Sequence, residues 1–192
     1  MNKYSTFYFV LLVLFNSCAT FQKPDWLDKR PYISNALEGV GFSSVKQDKK
    51  IARDTAYNDA IQKLVLTGEI QVQGYIETKL YAERGLPSNI INGKDLVDNV
   101  NKVIYDTVLK RKFFKEFYDD INKEYWVYVY IPESTLNRIT AEQSLEMIKD
   151  KKVGLLKIEK EQYKQELDTQ LDNVEKELEK DIQYYKKRES QE

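Results

Sequence analysis

The 192-residue chain contains no histidine. This removes the side chain that most often acts as a general base near neutral pH and most often ligates metals. Ser-His-Asp and Cys-His catalysis and histidine-based zinc sites are therefore excluded. Cysteine occurs once, at Cys18, so no disulfide can close within the chain. An excess of one charge is also missing. Thirty basic side chains face 31 acidic ones, for a formal net charge of −1, and the basic field that marks a nucleic-acid binder is absent. No metal, cofactor or nucleic acid is expected.

What the chain does have begins at its N-terminus. Lys3 precedes an apolar run from Phe7 to Phe15, and Asn16-Ser17 separates that run from Cys18. The layout is that of a signal peptide, with a basic start, an apolar stretch and a small residue at the cut. The run falls short of the roughly 20 residues that span a bilayer. The segment Leu14-Phe15-Asn16-Ser17-Cys18 resembles the lipobox of bacterial lipoproteins, in which the peptide is cut before the cysteine and the thiol is acylated. On this reading residues 1–17 are a leader and Cys18 carries a covalent lipid, the membrane anchor. No thiol remains for chemistry. By the sorting rule of that class, Ala19 rather than aspartate after the cysteine implies the outer membrane.

Residues 18–37 read as a tether in which Pro24 and Pro31 flank Asp25-Trp26-Leu27. A domain is expected over 38–150. Leu37 to Ser43 has strand character, and its Gly39-x-Gly41 lacks the rest of a phosphate-loop fingerprint, so close backbone packing is expected there. Ile51, Ala52, Thr55, Ala56, Ala60, Ile61 and Leu64 recur at helical spacing, which predicts a helix over Asp48–Leu66 ended by Thr67-Gly68. The alternation of Ile70, Val72, Gly74 and Ile76 predicts a strand over Glu69–Leu80. Tyr81–Asn92 reads as a loop and Lys94–Val108 as a second amphipathic helix.

A hairpin follows, Leu109–Tyr118 and Glu124–Ile131, turning through Asp119-Asp120-Ile121-Asn122-Lys123. In its second strand Tyr125, Val127, Val129 and Ile131 share one face, and Trp126, Tyr128 and Tyr130 the other. Both faces are apolar or aromatic, so one is core and the other is expected to be covered by a helix or a second subunit. Trp126, Tyr128 and Tyr130, with Phe114 and Tyr118 of the neighbouring strand, are the candidate partner-binding face. Asp119 and Asp120 form a carboxylate pair, but a turn is where aspartates ordinarily sit. Lys110, Arg111, Lys112 and Lys115 read as a guarded strand edge.

Ser134 is expected to cap a helix to about Lys149, with a joint at Val153-Gly154. Residues 151–192 then form a long charged helix in which Leu167, Leu171, Val174 and Leu178 resemble a short coiled-coil seam. The sequence leaves open whether that seam docks on its own domain, pairs with a second copy or frays.

Taken in order, Pro24-Asp25-Trp26, Gly39-Val40-Gly41, the alanine-patterned helix from Ala52 to Ala60, Ile70-Gln71-Val72 and the segment Tyr125 to Pro132 resemble one family. It is the lipoprotein family typified by the twenty-kilodalton membrane-associated lipoprotein antigen of Helicobacter, whose domain also occurs in flagellar outer-membrane lipoproteins. The resemblance covers residues 24–150, and the helix after Gly154 departs from it. It implies an α+β domain, a small antiparallel sheet with helices on one face, and location in the cell envelope. It implies structural or assembly roles through protein contacts, with no catalytic residues. The expectation is thus a non-enzymatic, lipid-anchored outer-membrane protein with a protein partner or self-association. The alternative is a periplasmic module that binds a small ligand or cell-wall fragment on the aromatic sheet face.

Overall fold

A strand with two glycines lies against a helix with three alanines, and that contact organises the structure. In the computed structural model, which describes residues 23–28, 33, 35–44, 48–155 and 161–191, strand β1 spans Ala36–Ser44 and pairs antiparallel with β3, Glu124–Pro132. The other edge of β3 pairs with β2, Phe114–Asp119, so the sheet order is β1-β3-β2. The fold is α+β, as expected. The leader, Cys18 and most of the tether lie outside the described residues. Residues 1–32 form a separate unit, of which the described part holds one helical turn, α1, Asp25–Asp28, containing half-buried Trp26.

Helix α2, Lys49–Tyr75, crosses one face of the sheet. Asp48 caps it, its side chain accepting the Lys50 amide at 2.7 Å. Ala52, Ala56 and Ala60 are buried, and Ala56 and Ala60 face the β1 glycines. A Cβ on Gly41 would stand 1.8 Å from the Ala56 carbonyl oxygen, and one on Gly39 would stand 2.1 Å from that of Ala60. The glycines are there because strand and helix backbones touch. The sequence reading of Gly39-x-Gly41 as a packing device holds.

The strand expected over Glu69–Leu80 is not formed. Helix α2 runs straight through Gly68 and passes into a π-helical stretch, Ile76–Glu83. Leu64, Gly68, Val72, Ile76 and Leu80 are all buried and recur every four residues, whereas Ile70, a member of the supposed strand face, is 73% exposed. The period-two pattern coexists with a helical one, and the helical one follows the core. Gly68 costs the helix about 1 kcal/mol relative to alanine, which tertiary packing outweighs. Two residues past its end stands Gly85, whose φ of 64° is left-handed, a conformation glycine adopts without strain. The loop therefore begins at Arg84, and Leu86, Ile90 and Ile91 within it are buried.

Helix α3, Gly93–Arg111, follows an Asn92 cap and ends on left-handed Lys112. The basic run thus belongs mainly to a helix C-terminus, where cations meet the negative end of the dipole. The strand expected from Leu109 begins only at Phe114. Helix α4, Glu133–Leu155, starts one residue before Ser134, so Ser134 lies in its first turn rather than capping it. The helix passes through Val153-Gly154 without a joint.

Helix α5, Glu161–Glu189, belongs to the same compact unit as the sheet, Ile33–Glu192. It lies antiparallel on α4. Lys152 pairs with Asp172 and Glu175 near one end, and Arg138 with Glu189 at the other. Leu167, Leu171, Val174 and Leu178 are buried in the main core, joined by Ile182. The seam is real and is used within the chain.

Candidate functional site

The register decides which aromatic side chains share a face. Residues directly opposite in an antiparallel pair project to the same side. Phe114 pairs with Val129 and Tyr118 with Tyr125, so both lie on the inner face beneath the helices. This corrects the expectation that they accompany Trp126. Phe114 meets Tyr57 of α2 edge-on at 5.7 Å, and Tyr57 meets Tyr105 of α3 at 6.2 Å. Tyr118 packs beside Tyr125 and under the Lys49 ammonium, 3.7 Å from the ring centroid. Phe117, opposite Trp126, takes the outer place instead.

The outer face therefore carries Phe42, Trp126, Phe117, Tyr128 and Tyr130. None of them belongs to the main core cluster or packs against it. Phe42 and Trp126 lie 4.7 Å apart, and Tyr128 stacks on Tyr130 at 5.9 Å. Tyr130 in turn meets Phe113 at 5.2 Å. Phe113 has the same parity as Phe117, the Tyr130 amide donates to the Phe113 carbonyl at 3.0 Å, and Phe113 also packs against the main core. Tyr128 is fully buried, Trp126 and Tyr130 are half-buried and Phe42 is 38% exposed. Burial, and secondarily hydrogen bonding with the Glu38 carboxylate, hold the Tyr128 phenol well above its ordinary pKa. Phe42, Phe113 and Phe117 are members that sequence reasoning left out. The signal was strand parity, but only the register shows which parity joins Trp126.

No protein-family model, curated protein or solved structure matches this chain.

The remaining polar candidates have structural duties. The Asp119 carboxylate accepts the backbone amides of Ile121 and Asn122, each at 3.0 Å, and the Asn122 side-chain amide at 2.8 Å. Asp120 pairs with Lys123 at 2.7 Å. The two carboxylates serve the turn separately. Among the described residues, no group of three or more histidine, cysteine, aspartate or glutamate side chains could hold a metal ion. No helix among them is long and apolar enough to cross a membrane.

One polar cluster was not foreseen. Glu116 of β2 receives both Nε and Nη2 of Arg53, each at 2.7 Å, and the Tyr125 hydroxyl at 2.5 Å. The Arg53 bond, opposed by burial and helped by Tyr125, holds the Glu116 carboxyl below its ordinary range. Burial, then the bond to Glu116, pushes the Tyr125 phenol up to about 12. The cluster ties α2 to an edge strand. A carboxyl whose folded pKa lies below its unfolded value, about 4.3, stabilises the fold fully above that value. The stabilisation is lost as pH falls through the folded pKa. Half-exposed Arg53 limits the contribution to roughly 1 kcal/mol. Urea midpoints measured at pH 6 and pH 3 are expected to fall less between the two in Glu116→Gln than in the parent chain. Equal losses would remove Glu116 from the acid response.

Proposed function

We propose that this chain is a lipid-anchored protein of the bacterial outer membrane that works by binding rather than catalysis, with Cys18 as the acylated residue. The anchor rests on the sequence from Lys3 to Ala19. The binding role rests on one observation: the outer face of the sheet carries Phe42, Trp126 and Tyr130 outside the main core, with Phe42 38% exposed and the other two half-buried. Clusters of accessible aromatic surface on a rigid sheet are typical of contact sites. A protein partner or a second copy is the reading that the resemblance to envelope lipoproteins supports.

Each buried lipid methylene contributes about 0.8 kcal/mol, so two or three acyl chains make attachment effectively permanent. Cys18→Ala is therefore expected to move nearly all of the protein from carbonate-washed membranes to the soluble fraction. Intact mass of the parent chain should show a mature N-terminus at Cys18 bearing acyl chains. A chain that stays bound after the substitution contradicts the anchor. Light scattering of the detergent-extracted protein addresses the partner: an assembly larger than one chain that is lost in Phe42→Ser/Trp126→Ser is expected.

A further inference from the structure

The outer aromatic row ends in a cleft, and we infer that this cleft binds a neutral saccharide. It lies where the end of α3, the start of β1, the start of α4 and the end of α5 meet, and has a volume of about 740 Å³. That is within the range of roughly 300–1,000 Å³ in which proteins hold small ligands. The inference does not rest on the anchor, and it shares Tyr130 with the aromatic face proposed above.

One wall is the tilted pair Phe113–Tyr130, 5.2 Å between centroids. The other is polar. Arg111 donates to Glu189 at 2.9 Å, and Asn35 stands beside them. Asn35 has a φ of 61°, a left-handed conformation that asparagine tolerates better than most residues. Its carbonyl accepts the Glu133 amide at 2.8 Å, which fixes the rim to the start of α4. Apolar Ile33 and Pro132, and Thr135 in the first turn of α4, complete the lining. Thr135 is 1% exposed and its hydroxyl has no hydrogen-bond partner. Thr140 and Ser144 of the same helix donate to carbonyls four residues back, at 2.9 and 2.7 Å. Thr135 has no helical carbonyl at that distance. A buried hydroxyl left in this state is uncommon and calls for a reason.

The chemistry narrows the ligand. The charges are already paired: Glu189 is shared by Arg111 and Arg138, and Arg138 also meets Glu142. Among the described lining residues an anion finds no free guanidinium and a cation no free carboxylate. A wholly apolar ligand would cover Asn35 and the Arg111–Glu189 pair without satisfying them, which is costly. What fits is a molecule with one apolar face and a hydroxyl-rich edge and no net charge. A pyranose ring is such a molecule: its C–H face lies on the aromatic pair, and its hydroxyls exchange bonds with Asn35, Arg111 and Glu189.

The test is saturation-transfer NMR and calorimetry on the full chain in detergent, with chitotetraose and cellotetraose as probes and adenosine as a flat, heteroaromatic comparator. At least one tetrasaccharide is expected to bind with a Kd of about 1 mM or tighter. Tyr130→Ala and Arg111→Gln should each weaken it roughly tenfold, about 1.4 kcal/mol. Arg111 is 44% exposed, so Arg111→Gln should leave the thermal midpoint unchanged and keep the test valid if Tyr130→Ala folds poorly. Absence of binding by both saccharides, unchanged affinity in Arg111→Gln, or displacement of the saccharide by adenosine would each overturn the inference. Loss of the lipid in Cys18→Ala should not alter the affinity.

Discussion

Gly41→Ala is expected to destabilise the domain by about 3 kcal/mol or more. A single methyl group rarely has such an effect. Here it would lie 1.8 Å from the Ala56 carbonyl oxygen and 2.5 Å from the Ala60 amide nitrogen. Both are backbone atoms of α2, so no rotamer change relieves the clash. Trimming Ala56 to glycine does not help either, because the obstacle is its carbonyl. The whole helix must move off the sheet, which opens the contacts of Ala52, Ala56 and Ala60 together. The same substitution at Gly74, near the end of α2, is expected to act in the opposite direction. Nothing lies within 4 Å of the added Cβ there. The gain should be about 0.5–1 kcal/mol, from reduced freedom of the unfolded chain and better helix propensity. Urea midpoints of the two variants check both signs. A tolerated alanine at position 41 would show that strand and helix do not touch as described.

The second large effect is expected at Leu178. Leu178→Asp should cost at least about 4 kcal/mol, since it removes a fully buried side chain and puts a carboxylate in its place. Leu171→Asp should behave alike. Because the seam is closed within the chain, against α4, the expected signature is lost cooperativity and an early thermal transition with no change in oligomeric mass. The reverse pattern, an unchanged midpoint with a smaller mass in solution, would move the seam to a contact between subunits. The ion pairs along α4 and α5 cannot offset the change. Lys149 is half-exposed, and surface pairs of that kind contribute at most about 1 kcal/mol each.

These two sites also show how far the sequence could be read. Gly39, Gly41 and the alanines of α2 were legible together because small residues on both partners have one physical explanation, close approach. The hairpin and the second amphipathic helix were legible from period and turn chemistry. Glu69–Leu80 misled because Ile70, Val72 and Ile76 satisfy a strand period while Val72, Ile76 and Leu80 satisfy a helical one. Only the core position of Gly68 arbitrates between them. The helix seam was visible, but its partner was not, since the apolar stripe of α5 suits α4 and a second α5 equally well. The aromatic face was half legible. Trp126, Tyr128 and Tyr130 followed from alternation along one strand. Phe114 and Tyr118 were assigned to the wrong side because pairing register is a non-local property. The cleft at its end could not be foreseen at all. Arg111, Phe113, Tyr130, Thr135, Glu189 and Asn35 come from five separate stretches, and nothing in their spacing announces that they meet.

That last convergence bears on the topology as a whole. Asn35, just before the first strand, and Glu189, the last helical residue, line the same cleft. The two ends of the body are neighbours. A short linker could join them, and new termini could be opened at the hairpin tip, where Ile121 is 75% exposed. Such a circularly permuted chain would keep every strand and the helices from α2 to α5. It would, however, make the pairing of β2 with β3 distant in sequence while that of β1 with β3 stays long-range, so no pair of strands would be local. Comparing its refolding rate with that of the parent chain would show whether the hairpin or the β1–α2 contact leads assembly.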